Sequence, residues 1–297
     1  MSSPDSGILL LDKPQGLSSN AALGRAKRVL GLRKAGHTGT LDPMASGLLV
    51  LCFGEATKVA GFLLDGDKTY LAEIFLGATT DTDDAEGEVI EHRPVPSMSS
   101  AVIEGALDGF RGEIQQAPPM YSALKHHGQR LYALARRGES VERPARPVTI
   151  HELLLLDTQP DRMTVQVRCS KGTYIRSLAR DLGEKLGCGA HLSALRRTQS
   201  GPFALSDAVR LAELDTMDAA AAKACLKPAD CALTHLPSVD LDADDSQRLQ
   251  LGQKLPSDRA GSIDGLVRLY GPDGFFGLGE AEARGLKPKR LFRTSGR

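Results

Sequence analysis

The feature that most constrains the fold is a glycine-rich segment, residues 36–47, which runs directly into six consecutive apolar residues, 48–53. Such an apolar run predicts a buried strand, and a loop held by a packed strand is a frequent place for reactive side chains. The carboxylate of Asp42 lies in this loop, where glycines let the backbone approach another group closely. Because Pro43 follows it, Asp42 is equally well placed to cap a very short helix. The segment predicts either a reactive carboxylate or a helix start.

The composition predicts a soluble protein of about two domains. The chain has 297 residues, of which 41% are apolar, enough to fill a core in each domain. No apolar run reaches about 18 residues, and the N-terminus lacks a basic stretch followed by a long apolar region, so we expect a cytoplasmic protein without a membrane span. The five cysteines include no C-x-x-C pair, and the sequence contains no dinucleotide fingerprint or P-loop. We therefore expect reduced thiols, no metal ion and no cofactor.

Charge is segregated along the chain although the net charge is zero. Residues 20–40 carry five basic side chains and no acidic one, residues 165–200 carry seven against two, and residues 284–297 carry six unopposed. Acidic residues concentrate in 81–91 and 207–245. This distribution predicts a phosphate-contacting face backed by an acidic one, although acidic stretches are also typical of ordinary solvated helix faces.

Hydrophobic periodicity predicts an α+β domain around a largely antiparallel or mixed sheet. A short strand over 8–11 is followed by a helix that begins at the caps 18–20 and ends at Gly31. The further predicted strands are 48–53, 70–76, 148–156 and 163–169, and the further predicted helices are 99–110, 175–186 and 209–214.

Two later regions differ from this pattern. Residues 118–147 are rich in Arg, Gly and Pro and predict a long loop with a short helix at 129–137, and loops of that length are usually functional. A last domain, predicted from residue 237, has the signals of a small β-barrel or half-barrel. Its predicted elements are strands 266–270 and 275–279 around the turn 271–274, and a strand over 286–292.

The glycine-rich segment resembles the catalytic-loop motif of the tRNA pseudouridine-55 synthase family, G-H-T-G-x-L-D-P, in its bacterial stand-alone form. Further segments similar to that family occur in the family's order at 9–16, 67–70, 119–125, 169–176 and 182–197. The resemblance covers about residues 8 to 205 and continues more weakly to the C-terminus. It implies a pseudouridine synthase catalytic domain over 1–236 and a PUA-like RNA-binding domain over 237–297.

The resemblance also implies the site residues. Asp42 corresponds to the family's nucleophile, Arg176 to the arginine that pairs with it, and Tyr70 to the tyrosine that stacks on the target base and is a candidate to help remove its C5 proton. His37 corresponds to the residue that meets the flipped-out bases, and Tyr174 and Leu195 to residues that line the nucleotide pocket. Judged by type alone, these residues also fit surface or core positions. Candidates for phosphate contact are Lys13, Lys125, Arg196 and Arg197.

The implied reaction agrees with the residues present. Conversion of uridine 55 in the T loop of tRNA to pseudouridine breaks the N1–C1′ bond, turns the base and joins C5 to C1′, with nothing oxidised. A carboxylate can stabilise or trap the positive charge that develops at C1′, and a nearby cation keeps that carboxylate ionised. The resemblance further implies that residues 118–147 clamp the T arm of tRNA, and we expect a monomer without an obligate protein partner.

Two other functions remain open at this stage. The first is the catalytic subunit of a guide-RNA-dependent pseudouridine synthase, which shares the loop motif. The second is an RNA-binding protein or tRNA-folding chaperone that has lost catalysis. The presence of Asp42, Tyr70 and Arg176 argues against loss of catalysis.

Overall fold

The computed structural model describes residues 5–122, 125–126, 129–130, 137 and 141–292, and this part of the chain contains a ten-stranded mixed sheet. Its strands and helices are, in chain order, β1 Gly7–Lys13, α1 Ser19–Leu30, β2 Ala35–His37, β3 Ala45–Phe53, α2 Ala60–Leu64, β4 Lys68–Leu76, β5 Ala78–Thr80, β6 Val89–His92, α3 Ser100–Asp108, β7 Gly112–Gln116, β8 Lys125–His126, β9 Gln129–Arg130, β10 Arg146–Gln159, β11 Arg162–Cys169, α4 Ile175–Lys185, β12 Ala190–Ser200, β13 Phe203–Ala204, β14 Val209–Arg210, α5 Leu211–Leu214, α6 Ala219–Ala224, β15 Ser238–Asp240, α7 Ala243–Gln250, β16 Gly265–Gly271, β17 Gly274–Glu282 and β18 Gly285–Leu291.

The main sheet has the strand order β14-β1-β3-β12-β4-β11-β10-β7, with β2 on β3 and β13 on β12. The pairs β1 with β14 and β3 with β12 are parallel, and the other pairs of this sheet are antiparallel. The sheet is therefore mixed and largely antiparallel, as the sequence predicts.

Strand β3 is apolar from Leu48 to Phe53 because both faces of the sheet are covered at this position. Leu49, Leu51 and Phe53 pack into one hydrophobic cluster, which includes residues of α1 and α4. Leu48 and Val50 pack into a second cluster on the opposite face. The strand that follows the glycine-rich segment is thus held in the middle of the molecule.

Helix α1 confirms the predicted caps. The Ser18 hydroxyl accepts a hydrogen bond from the Ala21 N–H, and Gly31 ends the helix with a φ of 68°. In the left-handed region a glycine has no Cβ penalty, which is why this residue stops the helix.

Two sequence-based assignments differ from the structure. Residues 209–210 form strand β14, which pairs with β1 before the short helix α5 begins. Residues 129–130 form strand β9 rather than a helix start, because they pair with β8. The rest of the helix predicted at 129–137 falls almost wholly outside the described residues.

The C-terminal residues form a separate four-stranded sheet in the order β15-β16-β17-β18, an open sheet with β15 and β18 at its edges. It has its own hydrophobic cluster, but Leu278, Phe275 and Phe292 pack against the cluster under the main sheet. The Lys58 ammonium also donates to the Leu291 carbonyl at 2.6 Å. Helix α7 lies in the same region.

Of the helices in the described ranges, none is long and apolar enough to cross a membrane.

Candidate active site

Asp42 lies in a tight turn that leads straight into the sheet. The Ala45 N–H donates to the Asp42 carbonyl at 3.1 Å, and β3 begins at Ala45. Pro43 occupies the second turn position, which suits its fixed φ. Asp42 therefore does not cap a helix. It lies in the turn just before the start of the central strand β3.

The loop that carries Asp42, residues 38–44, is fastened to the start of α1. The Ser19 hydroxyl donates to the Leu41 carbonyl at 2.9 Å and accepts from the Leu41 N–H at 2.8 Å. The Gly16 N–H donates to the Pro43 carbonyl at 2.8 Å. These contacts hold the backbone on both sides of Asp42. We call residues 38–44 the active-site loop.

Arg176 is the ion-pair partner of Asp42. The Nη2 atom of Arg176 lies 3.0 Å from Oδ2 of Asp42. The Asp42 side chain is 39% exposed whereas the Arg176 side chain is 6% exposed. The site thus pairs an accessible carboxylate with a buried cation. Arg176 is therefore not a surface arginine, which is the position that its residue type alone would also allow.

Arg176 is fully engaged by the surrounding chain. Its Nη1 donates to the Thr82 carbonyl at 3.1 Å and its Nη2 to the Tyr121 carbonyl at 2.8 Å. Its Nε lies 3.5 Å from Oδ2 of Asp84. A planar guanidinium held on several sides has one orientation, so Asp42 meets a fixed partner.

Asp84 is the site residue that sequence reasoning missed. Its side chain is 5% exposed, and its Oδ1 accepts from the Thr82 hydroxyl at 2.6 Å and from the Glu86 N–H at 3.0 Å. From the sequence alone, the acidic stretch 81–91 is interpreted as solvated surface, because the sequence does not show which of its side chains are buried. Asp84 instead gives Arg176 a second, buried carboxylate.

The start of helix α4 places Arg176. Tyr174 is the residue before the helix, and the Gln116 side chain accepts from its N–H at 2.8 Å and donates to its carbonyl at 3.1 Å. The Ser177 hydroxyl donates to the Ala117 carbonyl at 2.9 Å. Strand β7 and the residue after it therefore fix the first turn of α4 and, with it, the guanidinium.

Tyr70 lies on β4, directly opposite Arg197 of β12, and is 9% exposed. Burial raises the pKa of its phenol, and the positive charge and hydrogen bond of Arg197 partly oppose that rise. Tyr70 is therefore a neutral phenol at neutral pH. The negative charge of Asp42 also acts on the Tyr70 pKa, which agrees with a position close to the carboxylate.

The three predicted pocket residues lie around the same centre. His37 pairs with Leu51 in the sheet, its pKa is lowered by burial and by Arg197, and its Nδ1 has no hydrogen-bond partner within the described ranges. Leu195 lies between Ala45 and Ala72 and is partly buried against the main core. Tyr174 is partly buried, which raises its pKa, and the charge of Asp42 acts on it too.

The predicted phosphate-binding residues divide into two groups. Arg196 is 41% exposed and pairs with Asp12 at 2.7 Å, so it is accessible near the site. Lys13 and Arg197 are buried and donate to carbonyl oxygens of their own chain, which differs from the phosphate contacts predicted for both. The backbone of Lys125 belongs to β8, and its side chain lies outside what the structure describes.

The C-terminal basic tail is also less positive than the sequence suggests. Lys287 lies 3.2 Å and Lys289 3.0 Å from the same carboxylate, Glu280, and Lys287 also pairs with Glu282. The acids come from the neighbouring strand β17, so a count of charges along residues 284–297 does not show the pairing.

In the described ranges, no group of three or more His, Cys, Asp or Glu side chains could hold a metal ion.

Lys13 should give the stability of the protein a distinct pH dependence. Its ammonium donates to the carbonyl oxygens of Pro14 and Leu17, and burial lowers its pKa from 10.5 to about 8. Between these values the unfolded chain binds a proton that the folded chain has lost, so the free energy of unfolding should rise with pH. We expect the wild type to gain at most about 3 kcal/mol relative to Lys13→Met across this window.

Denaturant unfolding at several pH values measures this difference. Lys254→Met, at an exposed position, is the matched control and should keep the wild-type slope. Parallel curves for wild type and Lys13→Met would show that the folded protein does not perturb this ammonium.

Three parts of the chain match known family regions in sequence. Residues 27–175 match "TruB family pseudouridylate synthase (N terminal domain)", residues 176–234 match "tRNA pseudouridylate synthase B C-terminal domain", and residues 237–292 match "Pseudouridine synthase II TruB, C-terminal". Together these matches cover most of the main sheet and all of the C-terminal sheet.

Similar proteins and structures agree with these matches. The tRNA pseudouridine synthase B of Chromohalobacter salexigens is 52% identical and covers 98% of this chain and 96% of its own length. The protein of the same name from Thiobacillus denitrificans is 54% identical over 97% of this chain and 96% of its own length. A solved Cbf5-Nop10-Gar1 complex contains a chain with a TM-score of 0.73 and 28% identity, covering 98% of this chain and 86% of that one.

The mixed sheet, the carboxylate–arginine pair and these matches define the class of protein, a pseudouridine synthase. More narrowly, the chain belongs to the TruB family, since relatives with about half of their residues identical match it over nearly its whole length.

Proposed function

We propose that this protein isomerises uridine 55 in the T loop of tRNA to pseudouridine, with Asp42 as the reacting carboxylate. The observation that carries the proposal is the accessible Asp42 side chain held 3.0 Å from the buried guanidinium of Arg176. Relatives named tRNA pseudouridine synthase B, similar over nearly their full length, support tRNA as the substrate.

The proposed reaction needs an anion beside the sugar. When the N1–C1′ bond breaks, its electron pair leaves with the base, and C1′ becomes electron-poor. Asp42 stabilises or traps this centre while the base turns within the pocket. The new bond joins C5 to C1′, the electron pair of the C5–H bond restores the C5=C6 double bond, and N1 takes up a proton. The isomerisation is balanced without an external reactant.

Tyr70 and His37 have separate proposed roles. Tyr70 stacks on the target base, and its hydroxyl lies on the side from which the C5 proton is removed. His37 meets the bases of the T loop, because the target uridine must leave its stack to reach Asp42. The half-buried imidazole is neutral at neutral pH, since burial and Arg197 lower its pKa. It therefore offers a ring for stacking without a charge to attract phosphate.

Two peripheral regions are proposed to bind the RNA outside the pocket. Residues 118–147 are proposed to clamp the T arm, and the Arg143 guanidinium joins the ends of this segment by donating to the Pro118 carbonyl at 3.1 Å. Residues 237–297 are proposed as a PUA-like RNA-binding domain that assists binding. Recognition would then depend on the shape of the T arm and on a few splayed bases. We place this function in the cytoplasm and expect no obligate protein partner.

Pseudouridine mapping on an unmodified tRNA transcript tests the proposal. The purified protein alone should modify position 55, and a T-arm hairpin should also be a substrate. Because the proposed chemistry uses only side chains, activity on the hairpin should persist in the presence of a chelator, whereas any effect on full tRNA would come from RNA folding. Modification only in the presence of a guide RNA, or a strict requirement for one divalent ion on the hairpin, would contradict the proposal.

A further inference from the structure

Arg197 is a buried arginine at the junction of three strands. On β12 it lies between Gly47 of β3 and Tyr70 of β4. Gly47 has a φ of 99°, and a Cβ atom there would lie 2.3 Å from the Arg197 carbonyl oxygen. Only glycine permits this close approach, so the sequence of the glycine-rich segment and the position of Arg197 depend on each other.

The guanidinium of Arg197 connects the active-site loop to Tyr70. Its Nε donates to the Leu48 carbonyl at 2.7 Å, and its Nη2 donates to the Gly39 carbonyl at 3.1 Å. Tyr70 lies directly opposite Arg197 in the pairing of β4 with β12, so the two side chains share one face of the sheet, and the positive charge of Arg197 acts on the pKa of the phenol. One rigid group therefore binds the active-site loop and lies opposite Tyr70 in the sheet.

The charge of Arg197 has no structural explanation in these contacts. The side chain is 2% exposed, and its hydrogen-bond acceptors among the described residues are two carbonyl oxygens, neither of which is charged. Removing an arginine from water is costly unless an anion compensates it. A neutral donor such as glutamine would satisfy the carbonyls without that penalty. The retained charge therefore points to a role in the reaction.

We propose that Arg197 is a positioning residue for pseudouridine formation, which fixes the Tyr70 hydroxyl and the active-site loop in one geometry. A guanidinium has no acceptor, so Arg197 can only donate to the oxygen of the opposite Tyr70, which leaves the phenol proton available toward the pocket. The positive charge also stabilises the phenolate that remains once Tyr70 has passed its proton to N1, and this phenolate accepts the C5 proton as the C5=C6 double bond is restored. This inference rests on the proposed function, because it assumes that Tyr70 acts on the base.

A double-mutant cycle tests whether Arg197 acts through the Tyr70 hydroxyl. We expect Arg197→Gln to lower the single-turnover rate on tRNA about 100-fold, with a change in tRNA affinity below about threefold. Arg197→Lys, which keeps the charge, should recover part of the rate. In a Tyr70→Phe background, Arg197→Gln should cost less than about threefold, because the hydroxyl is already absent. Arg162→Gln, in an exposed ion pair at the far end of β11, is the matched control and should leave the rate unchanged.

A spectroscopic measurement on the free protein keeps the test independent of activity. A polyfluorinated tyrosine that ionises near neutral pH is placed at position 70, and its ¹⁹F resonance is titrated. The charged or titratable groups that act on this position are Arg197, Asp42 and Cys169. Loss of the positive charge in Arg197→Gln should move the titration to higher pH, and Arg197→Lys should restore it partly. The same probe at position 270, whose hydroxyl bonds Asp230 at 2.7 Å, should not respond.

The outcomes separate this inference from the proposed function. If the wild type forms no pseudouridine in tRNA, the proposed function fails. If the wild type is active but the losses from Arg197→Gln and Tyr70→Phe multiply, or the titration at position 70 does not move, Arg197 has a packing role only and the inference is overturned.

Discussion

Asp42→Asn should abolish pseudouridine formation while tRNA binding survives. The substitution keeps the size of the side chain and its place in the turn before β3, but it removes the charge that the proposed reaction needs. We expect the single-turnover rate to fall by about 10⁴-fold or more, because the carboxylate serves the chemical step. Binding should change little, since most affinity for RNA comes from basic side chains elsewhere.

Tritium release from 5-tritiated uridine in tRNA measures the rate, and filter binding measures the affinity. Asp161→Asn, an exposed carboxylate paired with Arg162, is the matched control and should behave as the wild type. Residual turnover within about tenfold of the wild type would remove Asp42 from the reaction.

Arg176→Gln should be the second most damaging change, and it should affect both rate and stability. It leaves the buried Asp84 without its cation and Asp42 without the partner at 3.0 Å. Breaking a buried pair in this way costs about 3–5 kcal/mol. We expect the rate to fall by about 10³-fold, comparable to the loss of a preorganised charge in other active sites. Arg176→Lys should recover less of the rate than of the stability, because an ammonium cannot reproduce the planar fork.

The double variant Arg176→Gln/Asp84→Asn separates the two effects. Neutralising Asp84 removes the unpaired buried charge, so the unfolding midpoint should recover while the rate stays low. Arg168→Gln, in an exposed ion pair with Asp67, controls for the loss of an arginine. Recovery of the rate together with stability would mean that Arg176 supports the fold only.

The elements that the sequence predicts well are those whose cause is local. The cap at Ser18, the left-handed Gly31 and the apolar run of β3 each depend on residues adjacent in the chain. Their formation needs little information about the rest of the fold. The hairpin between β16 and β17 also has a local cause, because its turn residues predict it.

The parts that the sequence does not predict depend on residues distant in the chain. Asp84 and Arg176 are 92 positions apart, and nothing near Asp84 in the sequence distinguishes it from its solvated acidic neighbours. Arg197 and Lys13 have the residue types of phosphate ligands, but strand pairing turns both inward. For such residues the sequence shows the charge but does not show that the side chain is buried. The roles of Asp42, Tyr70 and Arg176 stay predictions until the variants are measured.

The order of strands in the main sheet has a consequence for synthesis on the ribosome. Strand β3, which leads out of the turn at Asp42, is made early, yet its parallel neighbour β12 supplies residues 195–197. Strand β1 is bordered by residues 209–210, which are made later still. Such non-local pairing delays folding until the distant partner has emerged. A translation product that stops before residue 195 therefore has Asp42 but lacks the strand that pairs beside β3 and the Arg197 side chain that binds the active-site loop.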